Sequence, residues 1–206
     1  MRLSASFAAL VFLALGPIAV ARPLDAGISV AVLALPGSLS SQATPATRQL
    51  AERVASELQS AGFRVVRGGI ASPVPLEELN AIANASAVDL ALGFRSFGES
   101  RRCPSVVAPH PVSPPGQLNT AATPAQVGAV AKQIIASARF EASARFVSLL
   151  ASGREWCRPR AIATESYVLQ GIAAPVVIIS VALRDENRVT EPLPAVVRDW
   201  LTVERK

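Results

Sequence analysis

Few side chains in this chain can do chemistry, and their types exclude more than they allow. The sequence holds one histidine, His110, and two cysteines, Cys103 and Cys157. A zinc hydrolase needs about three protein ligands plus an open position for water, and one histidine cannot supply that shell. A serine nucleophile needs a base within hydrogen-bond reach. His110 lies in a proline-rich stretch with no positional cue toward any serine, and it reads as a solvent-facing loop residue. A catalytic cysteine lacks a base for the same reason. Arginine is the abundant functional group: Lys and Arg total 20, and only Lys132 and Lys206 are lysines. Arg101 and Arg102 precede Cys103, while Arg154, Arg158 and Arg160 surround Cys157.

The N-terminus bears on the state of those cysteines. Arg2, an apolar run from Ala5 to Val20 and Ala19-Val20-Ala21 before Arg22 form the pattern of a secretory signal peptide, residues 1–21. An uncleaved anchor is the alternative, but about 16 apolar residues fall short of the roughly 20 that span a bilayer. The mature chain is therefore expected to start at Arg22 and to be exported, periplasmic or secreted. It contains no transmembrane segment by this reading, because the apolar run from Val176 to Leu183 is only strand-sized. In an oxidising compartment a Cys103 to Cys157 disulfide bond is the default reading, with free buried thiols as the competitor. Such a bridge would close a loop of about 54 residues and constrain the unfolded chain by roughly 4 kcal/mol. It would also gather the five flanking arginines into one region, which makes Arg101 and Arg102 candidate ligand-binding residues.

Cleavage removes Arg2 and lowers the formal charge from +5 to +4. A basic balance suits acidic partners, although a charge of this size is ordinary for a soluble domain. Nucleic acid is an unsuitable partner: aromatic residues make up 5% of the chain and no basic stripe interleaves with them. About 185 mature residues, with half of the sequence hydrophobic, suffice for one domain with a full core.

The elements that must position any site follow from periodicity. Gly27 to Leu35 reads as a buried strand. Thr44-Pro45 then caps a helix with Leu50, Ala51, Val54, Leu58 and Ala61 on one face, ended by Gly62. Strands at Phe63 to Val66 and Val88 to Phe94 flank a short helix from about Pro75 to Asn84. This alternation predicts a single α/β domain, 22–206, with a mostly parallel twisted sheet and helices on both faces. Residues 98–123 form a long Pro/Ser/Arg-rich loop, with room for a short strand at Val106-Val107. A capping box at Thr123 to Gln126 opens a long helix with Val127, Val130, Ile134, Ala138, Phe146 and Leu150 as candidate core. A segment around Tyr167 to Leu169, a strand from Val176 to Leu183 and a helix bearing Leu193, Val196, Val197, Trp200 and Leu201 complete the chain.

The order of these elements and several local phrases resemble the zinc-dependent N-acetylmuramoyl-L-alanine amidases, cell-wall hydrolases, from about Gly27 to Trp200. In that family the first strand ends in Asp-Pro-Gly-His; here it ends in Leu35-Pro36-Gly37-Ser38. The resemblance implies that Ser38 stands where a zinc-binding histidine would be. A family glutamate ligand falls at Ala43 or Thr44, and no carboxylate occurs between Asp25 and Glu52. The family's arginine, alanine, asparagine run appears in Leu79 to Asn84, with Ala83-Asn84 kept. Val88-Asp89 and the strand after it match the phrase carrying the second histidine ligand, which places Arg95 at that ligand. Pro175 to Leu183 matches the last family strand and places Ser180 at the catalytic glutamate.

The resemblance thus implies a member lacking the zinc ligands, a pseudoenzyme with no cofactor. A guanidinium is permanently protonated and has no lone pair for a metal. It can instead bind a carboxylate or phosphate, or pair internally with Asp89, Glu99 or Glu165. Asp89 reads as a structural acceptor of backbone hydrogen bonds, and Ser38 and Ser180 as residues filling space that metal ligands once held. The leading expectation is an exported, non-catalytic amidase-like protein that binds peptidoglycan, muropeptide or an envelope protein. The alternatives are a divergent amidase with a displaced zinc site and an interaction domain that keeps only the fold. Ser38, Arg95 and Ser180 are expected to converge at one end of the sheet.

Overall fold

The computed structural model describes residues 27–37, 42–97, 105–108, 124–152, 169 and 171–204. The described residues of 27–110 and 139–204 belong to one compact unit, and those of 124–138 to another. In the first unit the order begins with β1 (Ser29–Ala34), α1 (Pro45–Ser60), β2 (Arg64–Gly68), α2 (Leu76–Ala85), β3 (Leu90–Phe97) and β4 (Ser105–Val107). Helix α3 (Pro124–Ala151) follows, and only its part from Arg139 onward belongs to this unit. Then come β5 (Val176–Ala182), a 3-10 turn (Leu183–Asp185), α4 (Glu186–Thr190) and α5 (Leu193–Glu204). No helix among the described residues is long and apolar enough to cross a membrane.

Five strands form one sheet in the order β2-β1-β3-β5-β4. The pairs β1·β2, β1·β3 and β3·β5 are parallel, and only the β4·β5 edge is antiparallel. The expected mostly parallel α/β sheet is therefore present. Strand β1 is buried along its whole length, as its β-branched and apolar sequence SVAVLA requires of a strand covered on both sides.

Alternate strand residues feed two apolar clusters. Val30, Val32, Leu92, Phe94, Val177 and Ile179 pack with Leu50, Val54 and Leu58 of α1, Phe146 and Leu150 of α3, and Val197 and Trp200 of α5. Ala31, Leu33, Leu35, Ala91, Val176 and Ile178 pack with Leu79 and Ala83 of α2 and with Leu169 and Ile172. Two glycines admit this second layer. A Cβ on Gly68 would lie 2.6 Å from Leu33 Cδ2, and one on Gly93 would lie 2.5 Å from Leu35 Cδ1. Each glycine is thus the floor on which a leucine sits.

Local chemistry fixes the helix ends and docking. Thr44 Oγ1 accepts from the Thr47 amide at 3.2 Å, and Gly62, at φ +92°, turns the chain after α1. Trp200 donates Nε1–H to the Ala142 carbonyl at 2.8 Å and meets Phe146 edge to face at 6.0 Å. Ser143 donates to the Arg139 carbonyl and accepts from the Val176 amide at 3.0 Å, tying α3 to the start of β5. Arg139 donates to the Ile172 carbonyl, and burial lowers its pKa from the ordinary arginine value.

The expected core positions of α1 and α5 are buried, except Ala61, which is partly buried and packed against the core. Ala138 is a correction: it is exposed, and α3 turns Ala142, Ser143, Phe146 and Leu150 inward instead. The side chains of Val127, Val130 and Ile134 lie outside the described residues.

Candidate functional site

The strand order fixes where a ligand site belongs. From β1 the chain moves to β2 on one side and then to β3 on the other, so the order reverses between β1 and β3. Open α/β sheets bind ligands beyond the carboxyl ends of strands at such a switch point. Here that position lies between Leu35-Pro36-Gly37 after β1 and Arg95 to Phe97 at the end of β3. The Leu35 amide donates to the Phe94 carbonyl at 2.9 Å, which holds the end of β1 beside Arg95.

Arg95 and Ser180 are register partners across β3 and β5, and Ser180 is paired in turn with Ser105 of β4. Directly opposed residues of neighbouring strands project to the same face, so Arg95, Ser180 and Ser105 form one polar row. Their parity is that of Gly93 and Ile178, the α2 side of the sheet. All three are buried, Arg95 and Ser180 to 2% exposure. Ser180 Oγ has no hydrogen-bond partner among the described residues. Ser38, Arg101, Arg102, Cys103, Cys157 and His110 lie outside the described residues, as do Glu99 and Glu165.

On the opposite face α1 is latched to the same strand end. The Ser96 amide donates to Thr47 Oγ1 at 3.0 Å, and the Thr47 hydroxyl lies 3.0 Å from that of Thr44. The first turn of α1 is thereby fixed against the switch point. Asn84 performs a similar task for β5: Nδ2 donates to the Gly171 carbonyl at 2.9 Å and Oδ1 accepts from the Ala173 amide at 2.7 Å. The chain entering β5, and hence Ser180, is set by this two-point clamp.

Asp89 accepts from the Ser29 amide at 2.8 Å, and its own amide donates to the Ser29 carbonyl. It therefore joins the starts of β1 and β3, the structural role its sequence position implied. Six residues at about 3.3 Å each separate it from Arg95, roughly 20 Å along the strand. Pairing of Arg95 with Asp89, one of the alternatives open in the sequence, is out of reach.

The donor set at these positions does not fit zinc. Ala43 is a buried methyl group, Thr44 Oγ1 is engaged in capping α1, Arg95 brings a fixed positive charge and Ser180 a neutral hydroxyl. Among the described residues, no three of His, Cys, Asp and Glu are grouped so as to hold a metal.

Ser105 was not singled out from the sequence. Its only signal was its place beside Val106-Val107, and its partner on β5 is remote in the chain. Thr47 and Asn84 are positioning residues whose contacts are equally non-local.

The fold, rather than the site, is shared with known proteins. The chain is similar in fold to the N-acetylmuramoyl-L-alanine amidase AmiC2 of Nostoc punctiforme, with a TM-score of 0.54 and 13% identity over 85% of this chain and 97% of that one. It is similar to the amidase Ami1 of Mycobacterium smegmatis, with a TM-score of 0.51 and 13% identity over 86% and 98%. The CwlD amidase of Clostridioides difficile, solved in complex with the GerS lipoprotein, matches at 0.50 and 9% identity over 85% and 99%. No family model and no curated protein matches the sequence. The fold is that of the N-acetylmuramoyl-L-alanine amidases.

Proposed function

We propose that this chain is an exported, non-catalytic protein of amidase fold that binds peptidoglycan fragments or an envelope protein at the carboxyl end of its sheet. On this reading residues 1–21 are a signal peptide, 22–206 form one amidase-like domain and no cofactor is needed. The observation that carries it is the row of Arg95 and Ser180 on β3 and β5, where the resemblance places a zinc ligand and the catalytic carboxylate. A guanidinium cannot bind a metal, and a serine hydroxyl does not replace a carboxylate as a general base. What remains at these two positions is a guanidinium and a hydroxyl, groups that bind by hydrogen bonding and charge, which supports binding over hydrolysis. Arg101 and Arg102 would extend the positive field around that site. The partner of the CwlD amidase, a lipoprotein, supports an envelope protein as the second class of partner.

The test uses purified mature chain, 22–206, with soluble muropeptides. Retention of muropeptide without release of free stem peptide supports the reading. Release of stem peptide would replace it with a divergent amidase, and absence of binding would leave the envelope protein as the ligand.

A further inference from the structure

Resting on the reading above, we infer that Arg48 is the side chain with which the site meets its ligand, and that it takes a free carboxylate of the peptide stem. Its place follows from two contacts. Arg48 stands in the first turn of α1, next to Thr47, whose hydroxyl accepts from the Ser96 amide at the end of β3. Its Nη1 donates at 3.4 Å to the carbonyl of Ala71, in the segment that follows β2. Strand β1 lies between β2 and β3, and a Cβ on Gly69 would come within 3.1 Å of the Ala34 carbonyl at the end of β1. The side chain therefore runs between the carboxyl ends of β3 and β2, beside that of β1, where open α/β sheets bind ligands.

The state of the guanidinium points to what it takes. Among the described residues the one side-chain bond of Arg48 is that long contact to Ala71, its Nε is buried without a partner, and no carboxylate pairs with it. A buried donor left unpaired costs stability. The sequence adds a second cost. No carboxylate occurs between Asp25 and Glu52 and the first turn of α1 has no acidic residue, so the cation stands uncompensated at the positive end of the helix dipole. One group relieves both costs, an anion that accepts from the guanidinium. Arg48 is only partly buried and its bond to Ala71 lies at the surface, so its Nη end meets solvent, whereas Arg95 is 2% exposed. The anionic groups of a peptide stem are carboxylates, whose two coplanar oxygens match the guanidinium fork.

Calorimetry of the mature chain, Arg48→Gln and Arg48→Glu measures binding of a muropeptide with free carboxylates and of the same muropeptide with its carboxylates amidated, with melting temperatures taken in parallel. Wild type should prefer the free-carboxylate muropeptide about tenfold, the effect of one charge-assisted contact. Arg48→Gln should remove that preference by weakening only the free form. Arg48→Glu should reverse it, since like charges then meet. Both variants should melt at or above wild type, because each takes a cation from the positive end of α1. Equal binding of the two muropeptides by wild type would overturn the carboxylate contact and leave the proposed function standing. A preference that survives in Arg48→Gln would assign the contact to another residue and defeat the inference. A lower melting temperature with equal losses for both muropeptides would return Arg48 to the scaffold. Wild type that binds neither would defeat the inference together with the peptidoglycan reading on which it rests.

Discussion

Arg95 and Ser180 face each other in register across the parallel strands β3 and β5, and each is 2% exposed. A fixed positive charge and a hydroxyl are thus held side by side in the interior by the parallel register of two central strands. A one-residue slip would exchange the two apolar layers that β5 feeds and put Ser180 on the face opposite Arg95. Arg95→Ala is expected to weaken muropeptide binding tenfold to a hundredfold, the effect of losing a charge-assisted contact of about 1.5 to 3 kcal/mol. Arg95→Lys keeps the charge but loses the planar fork, and should fall in between. Raising the salt concentration should weaken wild-type binding only modestly, since a buried contact is poorly screened. Titration calorimetry of folded variants checks this, and unchanged affinity in Arg95→Ala would make the arginine a scaffold residue.

Metal is the second question. With Ala43 buried, Thr44 capping a helix and Arg95 cationic, the mature protein should purify without stoichiometric zinc. A chelator should change neither its melting temperature nor its muropeptide binding. Elemental analysis before and after chelation decides the matter: one zinc per chain, lost together with muropeptide cleavage, would sink the pseudoenzyme reading.

The cysteines supply a third prediction, resting on sequence alone. Thiol titration of unfolded, unreduced mature protein should detect no free thiol at Cys103 or Cys157. Reduction should lower stability by up to roughly 4 kcal/mol if the loop-entropy account holds. Two titratable thiols would refute the bridge.

What was legible in the sequence was what is local. Thr44-Pro45 marked the start of α1, and Leu193, Val196, Val197, Trp200 and Leu201 marked the buried stripe of α5, because each signal lies within one helix. Ala138 was misjudged for the opposite reason. A small apolar residue fits an exposed helix face as well as a core, and only the docking of Ser143 and Phe146 decides which face turns inward. The turn Leu183–Asp185 and helix α4 were not foreseen, being too short to show a period. Arg95 and Ser180 were found through a family resemblance, whereas Ser105 became visible only when β4 paired with β5. Its place beside Val106-Val107 was legible, but its pairing with Ser180 lies in the register, which no stretch of sequence contains.

The last prediction concerns how the site is spaced from below. Leu35 is fully buried and lies over Gly93, two residues before Arg95 on the same face of β3, and its amide donates to the Phe94 carbonyl at 2.9 Å. A Cβ at Gly93 would stand 2.5 Å from Leu35 Cδ1, inside the closest approach that carbon atoms make, and a tight 3.0 Å from its Cγ. Leu35 would have to move, and it sits where β1 turns into the Pro36-Gly37 segment that bounds the switch point. Gly93→Ala should therefore destabilise by about 1 to 3 kcal/mol, the usual effect of overpacking a core. Leu35→Ala should cost about 2 to 5 kcal/mol through the space it empties. If the two residues act through direct contact, the double variant should be more stable than the sum of the single effects implies, because each change relieves the other. A denaturant-unfolding cycle over the four proteins measures this. Additive effects would show that Leu35 does not rest on Gly93. Coupling accompanied by weaker muropeptide binding in Gly93→Ala would tie the packing beneath Arg95 to the site above it.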